Sequence, residues 1–272
     1  MRHLNALPGI VEIMPTPFTH LQIAEQIRRQ VVADGRSPDG RLAELLQTEW
    51  PAFYLGSVAP DVQTISGAPR PQTHFYDIPP APDSQAYPLM LATYPELADA
   101  ATLLPAQAVF VAAYNAHLLL DLVWYRQISL PYFVDAAGLG SRDHRRLLHH
   151  TLLTYLDKQA YLSLPDTAVT TLAAAQPAHW LPFVTDADLL AWRDLLVAQL
   201  QPGAALQTAA VYAGRLHLSP AILTAYVDDP TWLHAHLFRS IPLDQVQAQL
   251  ATAVGASVQC VKTYLQPMIG NQ

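Results

Sequence analysis

The sequence predicts an all-α protein. Runs with the alternating Val, Ile and Thr of a strand are scarce, Ala- and Leu-rich stretches of helical length recur, and proline and glycine punctuate them. Hydrophobic residues make up 51 % of the 272 and charged ones 14 %, enough apolar surface for a large core and too little charge for disorder. The chain is long for one core and short for two full domains. A main helical domain over residues 14–162 is expected, with a helical extension over 163–272 that packs beside it or as part of the same domain.

In order along the chain, Thr16 and Pro17 suit the cap and first position of a helix over Pro17–Val32, with Ile23, Ile27 and His20 on one stripe. The Gly/Pro/Asp-rich segment 34–40 ends it, and Arg41–Trp50 reads as a second helix. The segment PAFYLGSVAPDVQTISGAPRPQTHFYDIPPAPD is Pro-rich and aromatic, and reads as a long connection without regular structure. Connections of that length in compact proteins often carry function. Tyr87–Leu104 reads as a helix broken near Pro95, Pro105 opens a buried helix to about Ile128, and Ser141–Leu162 forms another. Beyond it lie amphipathic segments such as Asp186–Leu200 and Pro242–Leu265, with no repeat of fixed period.

Composition excludes several classes. The net charge is −7 and the 15 Lys and Arg are scattered, the densest group being Arg142, Arg145 and Arg146, so nucleic acid is not favoured as a partner. One cysteine, Cys260, permits neither an intrachain disulfide nor a Cys-based zinc knuckle, and reads as a packed thiol. The first 16 residues hold no apolar run of signal-peptide length, and Ala106–Trp124 carries Asn115, His117 and Asp121, costly in a lipid-facing span. The expected location is therefore the cytoplasm.

Four places in the N-terminal half set His or Asp in apolar or aromatic surroundings: PTPFTH (His20), GSVAPD (Asp61), QTHFYD (His74, Asp77) and AHLLLD (His117, Asp121). His117 and Asp121 lie four apart, so a helix projects both from one face, together with Tyr114 and Trp124. A buried Asp beside a His loses several kcal/mol of hydration, and a divalent cation is the strongest compensation. Imidazole and carboxylate both suit zinc. Each place also has a plain reading: a satisfied core His for His20, a buried His–Asp hydrogen bond for the pair, a cap or turn for Asp61.

The order TH, GS-V-APD, THFYD, then HLLLD followed by VW resembles the bacterial zinc-dependent phospholipase C family over about residues 15–130. The resemblance implies a multi-helix fold akin to the phospholipase C and nuclease scaffold, with His and Asp around a cluster of zinc ions. Carried over by motif, Asp61, His74, His117 and Asp121 hold one zinc, and Asp121 bridges to a second that His20 also binds. Two zinc ions are expected and a third is doubtful. Secreted members use their free N-terminal amine as a ligand, whereas 19 residues precede His20 here, unless translation starts at Met14 and leaves Pro15 as the terminus. The family's His-x-x-x-Glu has no counterpart; the nearest substitute lies in RDHRRLLHHTLLTYLD, where His149 is favoured over His150 and a solvated surface helix is the competing reading.

The implied reaction is phosphodiester hydrolysis, phospholipase C-type on a phospholipid, with Asp61 as general base and transient contact with a membrane surface. Phe18, Phe53, Tyr54, Phe75, Tyr76 and Tyr114 are candidates for an apolar mouth or a cradle for a quaternary amine, or equally for the core. Two rivals stay open: a single-strand nuclease-like phosphodiesterase, and a non-catalytic helical module with one structural zinc.

Overall fold

The computed structural model describes residues 16–33, 39–204 and 206–270. Residues 1–15, with the expected alternative terminus at Pro15, lie outside the described residues. The helices are α1 (Pro17–Ala33), α2 (Asp39–Thr48), α3 (Trp50–Val58), α4 (Gln63–Ser66), α5 (Arg70–His74), α6 (Ala86–Thr93) and α7 (Pro105–Trp124). There follow α8 (Arg142–Ser163), α9 (Ala168–Ala173), α10 (Asp186–Leu200), α11 (Thr208–Arg215), α12 (Pro220–Asp228), α13 (Pro230–Trp232) and α14 (Leu243–Ile269). Among the described residues no strand occurs, so the all-α expectation holds.

The core is built around α7, whose Ala108–Ala116 stretch is buried all round. It packs most extensively against α3 and α14. The run Pro105–Val134 is long and apolar enough to cross a membrane, yet 78 % of its most apolar window is buried inside the protein. On α3, Gly56 lets the two backbones meet: a Cβ there would stand 2.3 Å from the Phe110 carbonyl oxygen. Beyond Trp124 the coil widens into a π-helical stretch, Tyr125–Val134, that accommodates Pro131.

One expectation is corrected. The stretch from Trp50 to His74 is not a structureless connection but a chain of short helices: α3, a 3-10 turn at Ala59–Val62, α4 and α5. Pro51, Pro60 and Pro71 each sit in a first turn, where a missing N–H loses no helical hydrogen bond. The prolines mark helix starts. Thr16 and Pro17 take the cap and first positions of α1, as expected, and the Phe18 N–H donates to Asp157 Oδ1 on α8, at 3.1 Å.

The second half of the chain is bound into the first. Tyr264 of α14 donates its hydroxyl to the Leu97 carbonyl, and Trp192 of α10 donates its indole N–H to the Val58 carbonyl at the end of α3. One continuous apolar cluster runs from Phe18 to Ile269.

Candidate metal centre

Four elements deliver the expected ligands. His20 comes from α1, Asp61 from the 3-10 turn after α3, His74 from the last residue of α5, and His117 and Asp121 from one face of α7. They meet at one buried place. His20 Nε2 lies 3.4 Å from Asp121 Oδ1, while His74 Nε2 and His117 Nε2 each lie 3.6 Å from Asp121 Oδ2. Asp61 Oδ1 stands 3.5 Å from His74 Nε2, and the rings of His20 and His117 stack with centroids 3.7 Å apart. Two overlapping groups result, His20–Asp61–His117 and His74–His117–Asp121, each with ligand atoms within 4.8 Å of one another.

The second ring nitrogens define the tautomers. His117 Nδ1 faces the Ser57 carbonyl at 2.8 Å, which can only accept, so Nδ1 carries the proton. His74 Nδ1 lies 2.9 Å from Thr73 Oγ1, whose own proton goes to the Arg70 carbonyl, so here too Nδ1 donates. Both Nε2 atoms therefore present lone pairs to the centre, as a metal-ligating histidine requires.

These atoms have no hydrogen-bond partner. His20 Nε2, His74 Nε2, His117 Nε2 and Asp121 Oδ1 are buried and unsatisfied. At about 1–3 kcal/mol each, four orphans in one spot amount to a large part of a protein's net stability. A tetrahedral ion with bonds of about 2.1 Å holds its ligands about 3.4 Å apart. The observed 3.4–3.6 Å separations match that edge and are too long for hydrogen bonds. The residues thus fit a bound metal ion, on both donor chemistry and spacing.

Two residues complete the centre: Arg70, which sequence reasoning missed, and Tyr76, expected only as one of the aromatics beside the ligands. The Arg70 guanidinium donates to Asp121 Oδ2 at 2.8 Å and reaches Asp61 Oδ1 at 3.9 Å, and the Tyr76 hydroxyl donates to the same Asp121 oxygen at 2.8 Å. Phe75 makes this possible: it takes φ 59°, left-handed for a bulky residue, so the chain turns sharply after α5 and both His74 and Tyr76 face Asp121. The only advance signal is that Tyr76 follows His74 by two in the QTHFYD motif.

Burial alone would raise Asp121, but His117, His20 and Arg70 hold its carboxyl well below the usual carboxylate range. Asp61 is likewise held down by His74, His117 and His20 against the effect of burial. Burial and the Arg70 charge lower His74 to about 4, so it is a neutral ligand at pH 7. Burial and His117 lower His20 as well, whereas His117 itself is raised, because Asp121 outweighs its burial.

Asp61 and Arg70 border a cleft of about 350 Å³, walled by Thr16 and Phe18 of the α1 start, by α4, and by α10 and α11. His20, His74, His117 and Asp121 are buried and do not line it. The helical extension thus supplies one whole wall.

The remaining expected site residues divide. Phe18 lines the cleft. Tyr54 is fully buried with its hydroxyl on Glu25, Tyr114 is fully buried with its hydroxyl on the Thr73 carbonyl, and Phe75 packs against Tyr94 and Phe183. These three stabilise the walls of the centre and do not line the cleft. His149 is 1 % exposed, packed on Phe133 and Trp124, and joins neither ligand group. His150 is buried as well, so the solvated-helix reading of that pair is corrected. Asp157, two turns on, is engaged with α1 and with Thr208 instead. His234 and His236 are exposed and join neither ligand group, and Cys260 is buried, the packed thiol expected.

Comparison of the chain with protein-family models, with curated proteins and with solved structures finds no match.

Proposed function

We propose that the chain is a zinc-dependent phosphodiester hydrolase acting in the manner of a phospholipase C. The observation that carries this reading is the meeting of three buried imidazoles and two carboxylates beside a guanidinium, with Asp61 and Arg70 bordering a cleft. His74, His117, Asp61 and Asp121 would hold one zinc, and His20 with the second oxygen of Asp121 would hold another. When bound, zinc supplies Lewis acidity: it acidifies water and neutralises charge developing on a phosphoryl oxygen.

The protein's own groups do the rest. Asp61, at the cleft head, is held ionised and so can accept a proton from the attacking water. Arg70 lines the cleft and presents a guanidinium where a phosphoryl oxygen would enter, a planar donor set matched to phosphate. Tyr76 and Arg70 together fix the orientation of Asp121. The apolar side chains of Phe18, Leu195 and Leu196 limit water around the reacting group.

The exposure of Asp61 to the cleft favours catalysis over a purely structural zinc, since structural sites are closed by their ligands and catalytic ones keep an accessible position. The test is zinc content together with hydrolysis of bis-p-nitrophenyl phosphate, a choline phospholipid in vesicles and single-stranded DNA. About two zinc per chain with turnover of a phosphodiester is expected. One tightly held zinc with no turnover of any of the three would replace this reading by the structural module, and turnover of DNA alone would replace it by the nuclease.

A further inference from the structure

The wall of the cleft contributed by α10 holds no metal ligand, yet its pattern is not purely apolar. Trp192, Leu195, Leu196 and Gln199 recur at helical spacing on the face of α10 that borders the cleft. Gln199 is the polar member of that stripe. It is 6 % exposed, and its Oε1 accepts the Gln207 N–H at 3.0 Å. That bond settles which way the amide lies, because a backbone N–H can only donate, and it leaves Nε2 without an acceptor among the described residues. Unlike the orphaned nitrogens of the metal centre, Nε2 keeps access to solvent, which the residue meets at the cleft. A donor held in place in a nearly buried position lacks only an acceptor.

The charged groups of the lining offer no rival anchor. Asp61 and Arg70 belong to the reacting end, turned to His74, Asp121 and Tyr76, and Arg215 is engaged over the Tyr212 ring. A quaternary amine would find no uncommitted carboxylate here, and a second phosphate no uncommitted cation. Neutral groups remain. The amides of Gln63 and Gln207 make no side-chain hydrogen bond among the described residues, and the Thr64 and Thr208 hydroxyls direct their protons to the Asp61 carbonyl and to Asp157, which leaves their lone pairs. Ile65, Leu195 and Val211 add apolar surface between them. A hydroxyl both donates and accepts, so a ring that carries hydroxyls between C–H faces matches this lining as neither ion does. A volume of about 350 Å³, at the small end of the range of about 300–1,000 Å³ for ligand pockets, suits one such ring and not a pair of acyl chains.

We propose that this cleft selects the headgroup: it takes a neutral polyhydroxylated group, a sugar or cyclic polyol, esterified to the reacting phosphate, and the Gln199 amide donates to one of its hydroxyl oxygens. The assignment rests on the hydrolase reading for the reacting end, and on the cleft alone for the headgroup. The same chemistry is presented by a lipid with a polyol headgroup and by a soluble sugar phosphodiester.

Two chromogenic esters share one scissile bond and differ in headgroup: p-nitrophenyl phosphorylcholine and p-nitrophenyl myo-inositol 1-phosphate. The zinc-loaded protein is expected to favour the inositol ester by about tenfold or more in kcat/KM, chiefly through KM. Gln199→Glu keeps an acceptor for the Gln207 N–H and removes the free donor, so it should abolish the preference at unchanged zinc content. Equal rates on the two esters in the wild type, or an undiminished preference in Gln199→Glu, would overturn the subsite and leave the hydrolase reading standing. If neither ester is turned over, binding decides the subsite: by calorimetry, myo-inositol 1-phosphate should bind about tenfold more tightly than phosphocholine, and equal affinities would refute it. The hydrolase reading is judged apart from this by bis-p-nitrophenyl phosphate, which carries no headgroup. Vesicles of phosphatidylinositol, set against phosphatidylcholine, distinguish the sources. A preference there assigns a lipid headgroup, and a preference confined to the chromogenic pair assigns a soluble ester.

Discussion

Replacing Asp121 by Ala removes at once the neighbour of three imidazoles and the acceptor of both Arg70 and Tyr76. That variant, and His117→Ala, should lose bound metal and activity together, checked by metal analysis of the purified proteins; wild-type stoichiometry in both would refute the centre. Tyr76→Phe is the milder control. It deletes one hydrogen bond to a carboxylate that keeps Arg70, so it should retain metal and lose about 1–2 kcal/mol in denaturant unfolding. At this scale the sequence was informative about ligands and silent about their support. His20, Asp61, His74, His117 and Asp121 stood out because imidazole and carboxylate are conspicuous in apolar surroundings. Arg70, in GAPRPQTH, looks like any loop arginine; what makes it part of the centre is a contact with a residue 51 positions away. His149 misled for the converse reason, since a histidine on the buried face of a helix need have no ligand to hold.

Among the elements, α3 is the one whose fit to α7 decides the position of the ligands. Its last turn carries the Ser57 carbonyl that orients His117, and it leads directly into the turn bearing Asp61. Gly56→Ala would push a methyl group into the Phe110 carbonyl and the Ala113 side chain, forcing the two helices apart. A loss of about 1–3 kcal/mol is expected, with weaker metal binding, although no ligand is changed. Melting temperature with and without added zinc reads both effects, and an unaltered zinc-induced shift would show that α3 does not position the centre. The long helices were readable from their apolar periodicity: Asp186–Leu200 coincides with α10, the expected Pro17–Val32 differs from α1 by one residue at its end, and Ser141–Leu162 differs from α8 by one residue at each end. The stretch after Trp50 was not, because proline at a helix start and proline in a loop look alike until the partners of the first N–H groups are known.

For the molecule as a whole, two buried groups tilt stability in opposite directions with pH. Burial raises the Asp157 carboxyl to about 6 from 3.8, against the pull of Thr16, Thr208, Thr19 and Phe18. Its contribution is therefore full below about pH 4 and is lost as pH rises through about 6. Burial lowers His150 to about 4 from 6.5, so its contribution is full above about pH 6.5 and is lost as pH falls toward 4. In the metal-free protein Asp157→Asn should make stability climb more steeply between about pH 4 and 6, and His150→Gln should flatten that climb. Melting curves across this range test the pair; superimposable profiles for wild type and Asp157→Asn would contradict the assignment. The extension over 163–272 had no role readable from the sequence, because a cleft wall made of Leu, Gln and Thr has no signature until it is folded against the centre.

The packing of α14 on α7 also sets an order of events at birth. The long buried helix α7 ends at Trp124, but α14, which covers it, begins at Leu243, so more than a hundred residues must leave the ribosome in between. At about 5–20 residues per second that leaves an apolar surface bare for several seconds or longer. Nascent chains arrested before residue 243 should accordingly be caught by chaperones that bind exposed hydrophobic segments, and full-length chains released from them.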